Sequence, residues 1–276
     1  MEKLTVTNVS KKYRKKVALQ QVSCEFSNGI TALLGPNGAG KSTLMNIICT
    51  ILNSDEGIIE YKGYDIKKLK ASYLEKISVL FQNQPMYKNY TAIEYLYFCG
   101  SLKNMARSDI QEQGKILMNY FGIYDNRNKK ISTFSGGMKQ RLALCGVFLG
   151  NPRIILLDEP SVGLDIYERE ELKNLLFGLK ENCIIIISTH IVSDIENIAD
   201  NVIMLNEGKI SAVGTQNELV EQLRNVVWEL PNNKSEIPNI KTYMSNGKRL
   251  GISDIKPHPD AKPKVVDLTD VYFYFL

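Results

Sequence analysis

The stretch "GPNGAGKST", Gly35 to Thr43, constrains this chain more than any other. It follows the aliphatic run "ITALL" at 30–34 and precedes Leu44, Ile47, Ile48 and Ile51, which fall on one face of a helix. The order is buried strand, glycine loop, helix. Glycines let the backbone turn its N–H groups inward, and the helix start adds the positive end of a dipole, so the loop is built to cradle phosphate. In such a loop Lys41 reaches the β- and γ-phosphates of a nucleotide and the Ser42 hydroxyl holds Mg2+.

Two near-continuous aliphatic runs, "RIILL" at 153–157 and "CIIIIS" at 183–188, have the composition of parallel strands covered on both faces. Between them Leu172, Leu175, Leu176 and Leu179 repeat at helical spacing, so strand, helix and strand read as a parallel crossover in an α/β sheet. Residues 4–34 carry alternating and β-branched patterns that predict strands. The region 91–150 predicts helices, with Ser108 and Gln111 as a capping box and Ile110, Leu117 and Phe121 on one face. Five of the nine prolines lie beyond Leu223, which excludes long helices there and sets a boundary near residue 224.

The bulk properties narrow the partners little. A net charge of +4 demands neither nucleic acid nor an anionic membrane, and no nucleic acid is expected. Five cysteines without paired C-x-x-C spacing read as reduced core residues. The N-terminus lacks a signal-peptide pattern and no apolar run is long enough to span a bilayer. The expectation is a cytoplasmic chain whose membrane role is borrowed from another polypeptide.

"IILLDEP" at 154–160 ends a buried strand in two carboxylates, at the sheet edge where open α/β folds bind ligands. Asp158 fits the acid on the Mg2+ side, and Glu159 fits the group that polarises an attacking water. Alone, an Asp-Glu pair after a strand is more often a cap or a solvated turn; the phosphate loop upstream reverses that reading. His190 ends "IIIISTH" at the exit of another predicted parallel strand, which sets it beside this pair as a γ-phosphate contact or a holder of catalytic geometry. His258, between two prolines, reads as structural.

"FSGGMKQR", Phe134 to Arg141, opens a further helix marked by Leu142, Cys145 and Leu149. Ser135, Gly136 and Gly137 form a second anion-binding helix start in a chain that already has one phosphate cradle. Two such devices make sense if the second serves the nucleotide of a neighbouring copy.

With these motifs in this order, residues 1 to about 224 resemble the nucleotide-binding subunit of an ABC transporter of the exporter type that handles drugs, peptides or lipids. The resemblance implies a phosphate-loop NTPase (RecA-like) α/β fold: a parallel-sheet core, an N-terminal antiparallel β subdomain, an inserted helical subdomain at about 84–150, and a small C-terminal extension at 225–276. It makes Gly35, Pro36, Asn37, Gly38, Ala39, Gly40, Lys41, Ser42 and Thr43 the Walker A loop, Ile154 to Asp158 the Walker B strand and Glu159 the catalytic carboxylate. Ser135, Gly136 and Gly137 become the signature, Asp165 in "SVGLD" the D-loop contact across a dimer, and His190 the switch histidine. Gln82 in "VLFQNQ" resembles the Q-loop glutamine that serves water and metal, with Gln84 the competing choice. Tyr13 resembles the aromatic that stacks on adenine, although a surface tyrosine would look the same. Phe134 stands where the signature usually carries leucine.

The same resemblance implies ATP hydrolysis with Mg2+, a head-to-tail dimer with a second copy or a homologous subunit, and a transmembrane permease as partner. Met86, Tyr87 and Tyr90 suit either a surface for that permease or a helical-subdomain core. The ending "VDLTDVYFYFL" resembles the short closing helix of exporter-type subunits. "NKSE" at 233–236 mimics a guanine-binding motif by chance. Two other readings remain open: an importer ATPase, and a non-transport ABC ATPase acting on another macromolecular machine. A phosphate-loop kinase would have no use for the second serine-glycine device.

Overall fold

The computed structural model describes residues 2–14, 16–82, 84–231, 240–245 and 247–275. "NKSE" therefore lies outside the described residues. The chain opens with two long antiparallel strands, β1 (Lys3–Tyr13) and β2 (Lys16–Ser27), whose alternating apolar residues Leu4, Val6, Leu19 and Val22 face inward. Strand β3 (Gly29–Leu34) then enters the main sheet, and the glycine loop leads into α1 (Lys41–Ile48). Strands β4 (Glu56–Tyr61) and β5 (Tyr64–Asp65) return to the first sheet, giving the order β2-β1-β4-β5.

Helix α1 is shorter than its apolar spacing predicts. Thr50 adopts a left-handed φ of 61° and ends the helix, so Ile51 is not on the buried face but 65% exposed, whereas Leu44, Ile47 and Ile48 pack inside. Two one-turn helices, α2 (Ile66–Leu69) and α3 (Ala71–Leu74), lead to β6 (Ile77–Leu80).

The insertion comes next as α4 (Ala92–Leu102), α5 (Arg107–Tyr120) and α6 (Gly136–Phe148). Thr91 and Glu94 form a capping box on α4. The capping box expected at Ser108 and Gln111 does not exist: α5 starts at Arg107 behind an uncapped Ala106, and the Ser108 hydroxyl donates to Asp109 instead. Ile110 and Phe121 are buried and Leu117 packs against the core as the periodicity implies.

Strand β7 (Ile154–Asp158), helix α7 (Ile166–Leu179) and strand β8 (Ile184–Thr189) form the predicted crossover, with every residue of both strands buried. Strands β9 (Asn201–Asn206) and β10 (Lys209–Gly214) and helix α8 (Gln216–Gln222) complete it. The main sheet runs β10-β9-β3-β8-β7-β6, parallel throughout except for the antiparallel edge strand β10. The alternate residues of β8 feed two cores: Ile185 and Ile187 pack towards the helical insertion, and Ile184 and Ile186 towards α1 and the antiparallel sheet.

The tail forms its own small antiparallel sheet from β11 (Val227–Glu229), β12 (Lys241–Ser245), β13 (Lys248–Ile252) and β14 (Lys262–Pro263), then α9 (Leu268–Phe275). Asp270 on α9 is fully buried, where it accepts from the Tyr243 hydroxyl at 2.6 Å and from Lys264. Those bonds satisfy a carboxylate that would otherwise be costly to bury and tie α9 to β12 and to the segment after β14; α9 itself packs beside α8, β9 and the turn after β8.

Lys103, at the end of α4, joins the insertion to the sheet. Its ammonium donates to the Ser78 hydroxyl of β6 at 2.8 Å and to the carbonyls of Val147 and Leu149 at the end of α6. Burial pushes its pKa down to about 8 from the ordinary 10.5. Because the unfolded chain binds this proton more tightly, the folded state is penalised below about pH 8 and the penalty is relieved as the pH rises towards 10.5. Chemical denaturation of wild type and Lys103→Met between pH 7 and 10 should therefore show wild type gaining stability relative to the variant as the pH rises.

Candidate functional site

The parallel register sets Asp158 of β7 directly opposite Ser188 of β8, and β3 lies on the other side of β8 with Leu34 opposite Thr189. All three strands therefore deliver their exits to one edge. The phosphate loop leaves β3, Glu159 leaves β7 and His190 leaves β8. A cleft of about 210 Å3 lies there, lined by Tyr13, Asn37, Gly38, Lys41, Ser42, Thr43, Gln82, Asp158 and Glu159 among others.

The loop needs its glycines for space. Gly40 has a φ of 109°, and a Cβ there would lie 2.5 Å from the Ala18 carbonyl oxygen. The Ala39 amide donates to Pro36, and the Ala39 carbonyl accepts from Gly208 at 2.9 Å, so the turn between β9 and β10 braces the loop. Lys41 is buried, with its ammonium 2.6 Å from the Gly35 carbonyl and 3.2 Å from that of Pro36. Burial lowers its pKa, while the Glu159 and Asp158 carboxylates act in the opposite sense. A phosphate oxygen entering the loop would add to that counter-charge.

The Ser42 hydroxyl donates to Asp158 at 3.0 Å, and both share the cleft with Gln82. Hydroxyl, carboxylate and amide oxygens are hard donors that fit Mg2+, which takes its remaining ligands from phosphates and water. Among the described residues no cluster of three or more His, Cys, Asp or Glu offers an all-protein metal cage. Gln84, the competing glutamine, does not line the cleft; it accepts from the Phe81 amide and lies beside Tyr95 and Lys103.

Glu159 is 5% exposed and has a left-handed φ of 50°. Both of its carboxylate oxygens are engaged: Oε1 lies 2.7 Å from His190 Nδ1 and Oε2 accepts from the Thr189 hydroxyl at 3.2 Å. An ionised carboxylate only accepts, so Nδ1 of His190 carries the proton of this bond and the ring orientation is set. The Glu159 amide donates to the Ser188 carbonyl at 2.8 Å, which pins the strained backbone.

The second anion-binding device is elsewhere. Ser135 caps α6 by accepting from the Met138 amide at 3.2 Å, but neither it nor Gly136, Gly137 or Asp165 lines the cleft of its own chain. Gly136 faces open space, whereas a Cβ on Gly137 would lie 2.8 Å from the Gly163 carbonyl oxygen. Asp165 caps α7 in a capping box with Glu168.

Residues 19–162 match the family model described as ABC transporter. The chain belongs to the ABC transporter family. It is an ATP-binding cassette, the part of such a transporter that binds and hydrolyses ATP, pairs with another cassette and acts with transmembrane domains. It is 32% identical over 222 residues to the linearmycin resistance ATP-binding protein LnrL of Bacillus subtilis, covering 80% of this chain and 71% of that protein. It is 38% identical over 194 residues to ABC transporter A family member 11 of Dictyostelium discoideum, covering 70% of this chain but 23% of that much longer protein. A solved dimeric bacterial ABC transporter cassette superposes with a TM-score of 0.71 at 25% identity, covering 77% of this chain and 98% of that one.

Sequence reasoning missed two residues at the cassette's cleft, Lys16 and Thr189, and a third in the tail that feels the Glu159 charge. Lys16 lines the cleft with Tyr13, but in "KKYRKKVAL" one lysine cannot be told from its neighbours. Thr189 precedes the histidine and reads as a strand residue. Tyr272 lies in the tail on α9, where burial and then the Glu159 charge push its phenol pKa up; no local pattern signals this. Because Lys41 is the buried cation of the phosphate loop, Lys41→Ala should weaken ATP binding about 10- to 100-fold by calorimetry, the worth of a charged hydrogen bond.

Proposed function

We propose that the cassette holds each MgATP between the Walker A loop of one copy and Ser135, Gly136 and Gly137 of another, and hydrolyses it through Glu159 to drive export of a drug, peptide or lipid. The observation that carries the reading is the buried Glu159, bonded to His190 at 2.7 Å and lining one cleft with the phosphate loop, while Ser135, Gly136 and Gly137 stay outside that cleft. Ser42, Asp158 and Gln82 would hold Mg2+, which would neutralise phosphate charge when bound. Glu159 orients and deprotonates the attacking water, His190 holds that carboxylate, and Lys41 takes the β- and γ-phosphates. Tyr13, 45% exposed at the mouth of the cleft, offers a face for adenine. Asp165 meets the partner cassette, beside Ile166 and Tyr167, which are 83% and 73% exposed.

Residues 1–224 act as the cassette and 225–276 as a C-terminal extension. The permease docks beside the Q-loop, where Tyr87 and Tyr90 stack at 5.0 Å and Phe98 meets Tyr87 edge-on at 5.3 Å. Tyr87 is exposed and the neighbouring groove of about 820 Å3 is lined by Tyr90, Tyr97 and Phe98, whereas Met86 turns in against the core. No helix of the described residues is long and apolar enough to cross a membrane; we assign the cassette to the cytoplasmic face of the cell membrane, attached through the permease. Export is supported by likeness to a linearmycin resistance protein.

Glu159→Gln should keep ATP affinity, lose at least about 100-fold in kcat, the scale of a general base, and accumulate an ATP-bound dimer on size-exclusion chromatography. Normal turnover in that variant would assign the base to another group. In the same Glu159→Gln background, Ser135→Arg should leave monomer binding of ATP intact and abolish the dimer peak.

A further inference from the structure

Asp194 is a buried carboxylate outside the cleft, with no part in the hydrolysis assigned to Glu159. It ends the single turn Val192–Asp194 that comes after His190. One of its oxygens accepts from the Ser161 hydroxyl, itself buried, and the other faces the Arg169 guanidinium at 3.5 Å. Arg169, on the first turn of α7, also donates to the Leu164 carbonyl at 3.3 Å, immediately before Asp165.

The ion pair does not account for the carboxylate. Its 3.5 Å separation is long and the Arg169 side chain is about a third exposed, so the Coulombic gain is small against the cost of burying a charge. What the carboxylate does is geometric. Ser161 lies two residues after Glu159, and Asp194 four residues after His190. These are the loops that leave the paired strands β7 and β8, each carrying one member of the Glu159–His190 pair. At the front the loops are joined by that pair and by Thr189. Behind it they are joined by Ser161 and Asp194.

A left-handed φ at a non-glycine residue is strained and persists only where the surroundings over-determine it. Glu159 has that backbone. With the rear link gone, the segment after Glu159 is free to relax, taking the carboxylate off line. The Gln140 side chain adds a third hold, donating to the Pro160 carbonyl at 2.8 Å from α6. The turn that carries Asp194 is packed from outside by α9.

We propose that Asp194 is a positioning residue: by tying the Ser161 loop to the turn after His190 and steadying Arg169, it holds Glu159 and the segment before Asp165 in their working geometry. This rests on the assignment of Glu159 as the base.

The test uses the full chain, with kcat, KM, ATP affinity and melting temperature measured for Asp194→Ala, Asp194→Asn, Ser161→Ala and the double alanine variant. A misplaced catalytic group costs on the order of tenfold to a hundredfold in rate. Asp194→Ala should therefore lose at least about tenfold in kcat with ATP affinity within about threefold of wild type. Asp194→Asn, which keeps an acceptor for Ser161, should lose less. Ser161→Ala should fall in the same direction, and the double variant should be no worse than Asp194→Ala alone, since both remove one link. The inference is overturned if kcat is unchanged in both single alanine variants, if ATP affinity and melting temperature fall in step with kcat, or if the two losses add. Should Asp194→Ala fail to fold, Ser161→Ala and Asp194→Asn decide the matter by the same criteria. Glu159→Gln is run beside them: an active Glu159→Gln sinks the assignment of the base, whereas an inactive one with fully active Asp194 variants sinks only the role of Asp194.

Discussion

Side-by-side parallel pairing of β3, β8 and β7 is the constraint from which the cleft arises. Parallel strands share a direction, so their carboxyl ends meet at one edge, and whatever leaves those ends converges. Here the three departures are a glycine loop, a carboxylate and a histidine. Asp158 opposite Ser188 in the ladder is what brings Glu159 within 2.7 Å of His190 although the two are 31 residues apart in the chain. A shift of one residue in that register would turn every side chain of the strand to the other face.

Around this edge the molecule builds only half of an enclosure. Helix α6 is buried from Leu142 to Phe148 and joined to α7 by an Arg141–Glu168 pair, and its capped N-terminus lies at the surface. Gly137 lies close under the Gly163 carbonyl, which ties the signature start to the loop before Asp165 within one chain. The helix start at Ser135 and the loop before Asp165 are thus held close to each other. Neither lines the chain's own cleft.

Much of this was legible in the residues. The strand, glycine loop and helix around Lys41 were readable because each part obeys a local rule: a buried aliphatic run, positions where only glycine fits, and helical spacing. The carboxylates and His190 were readable because they end such runs. Two local readings failed for local reasons. Ile51 has the right spacing for α1 but lies beyond Thr50, whose left-handed backbone ends the helix. Ser108 sits three residues before Gln111, yet the helix begins two residues earlier than a cap at Ser108 requires. Gln82 and Gln84 could not be separated by pattern; only the path of the chain after β6 sends one to the cleft and the other to Tyr95 and Lys103.

The sequence by itself determined the chemistry: a phosphate cradle, a cation to face it, two carboxylates and a histidine at strand ends, and a second anion-binding start. These are properties of short segments, set by backbone freedom, side-chain type and period. The tertiary structure alone decided which of these groups meet and which stay apart. It joined Asp194 to Ser161, lodged Lys103 at the end of α6, and kept Ser135 out of its own chain's cleft. Such contacts depend on strand register and packing between distant segments, and no local rule of spacing encodes them.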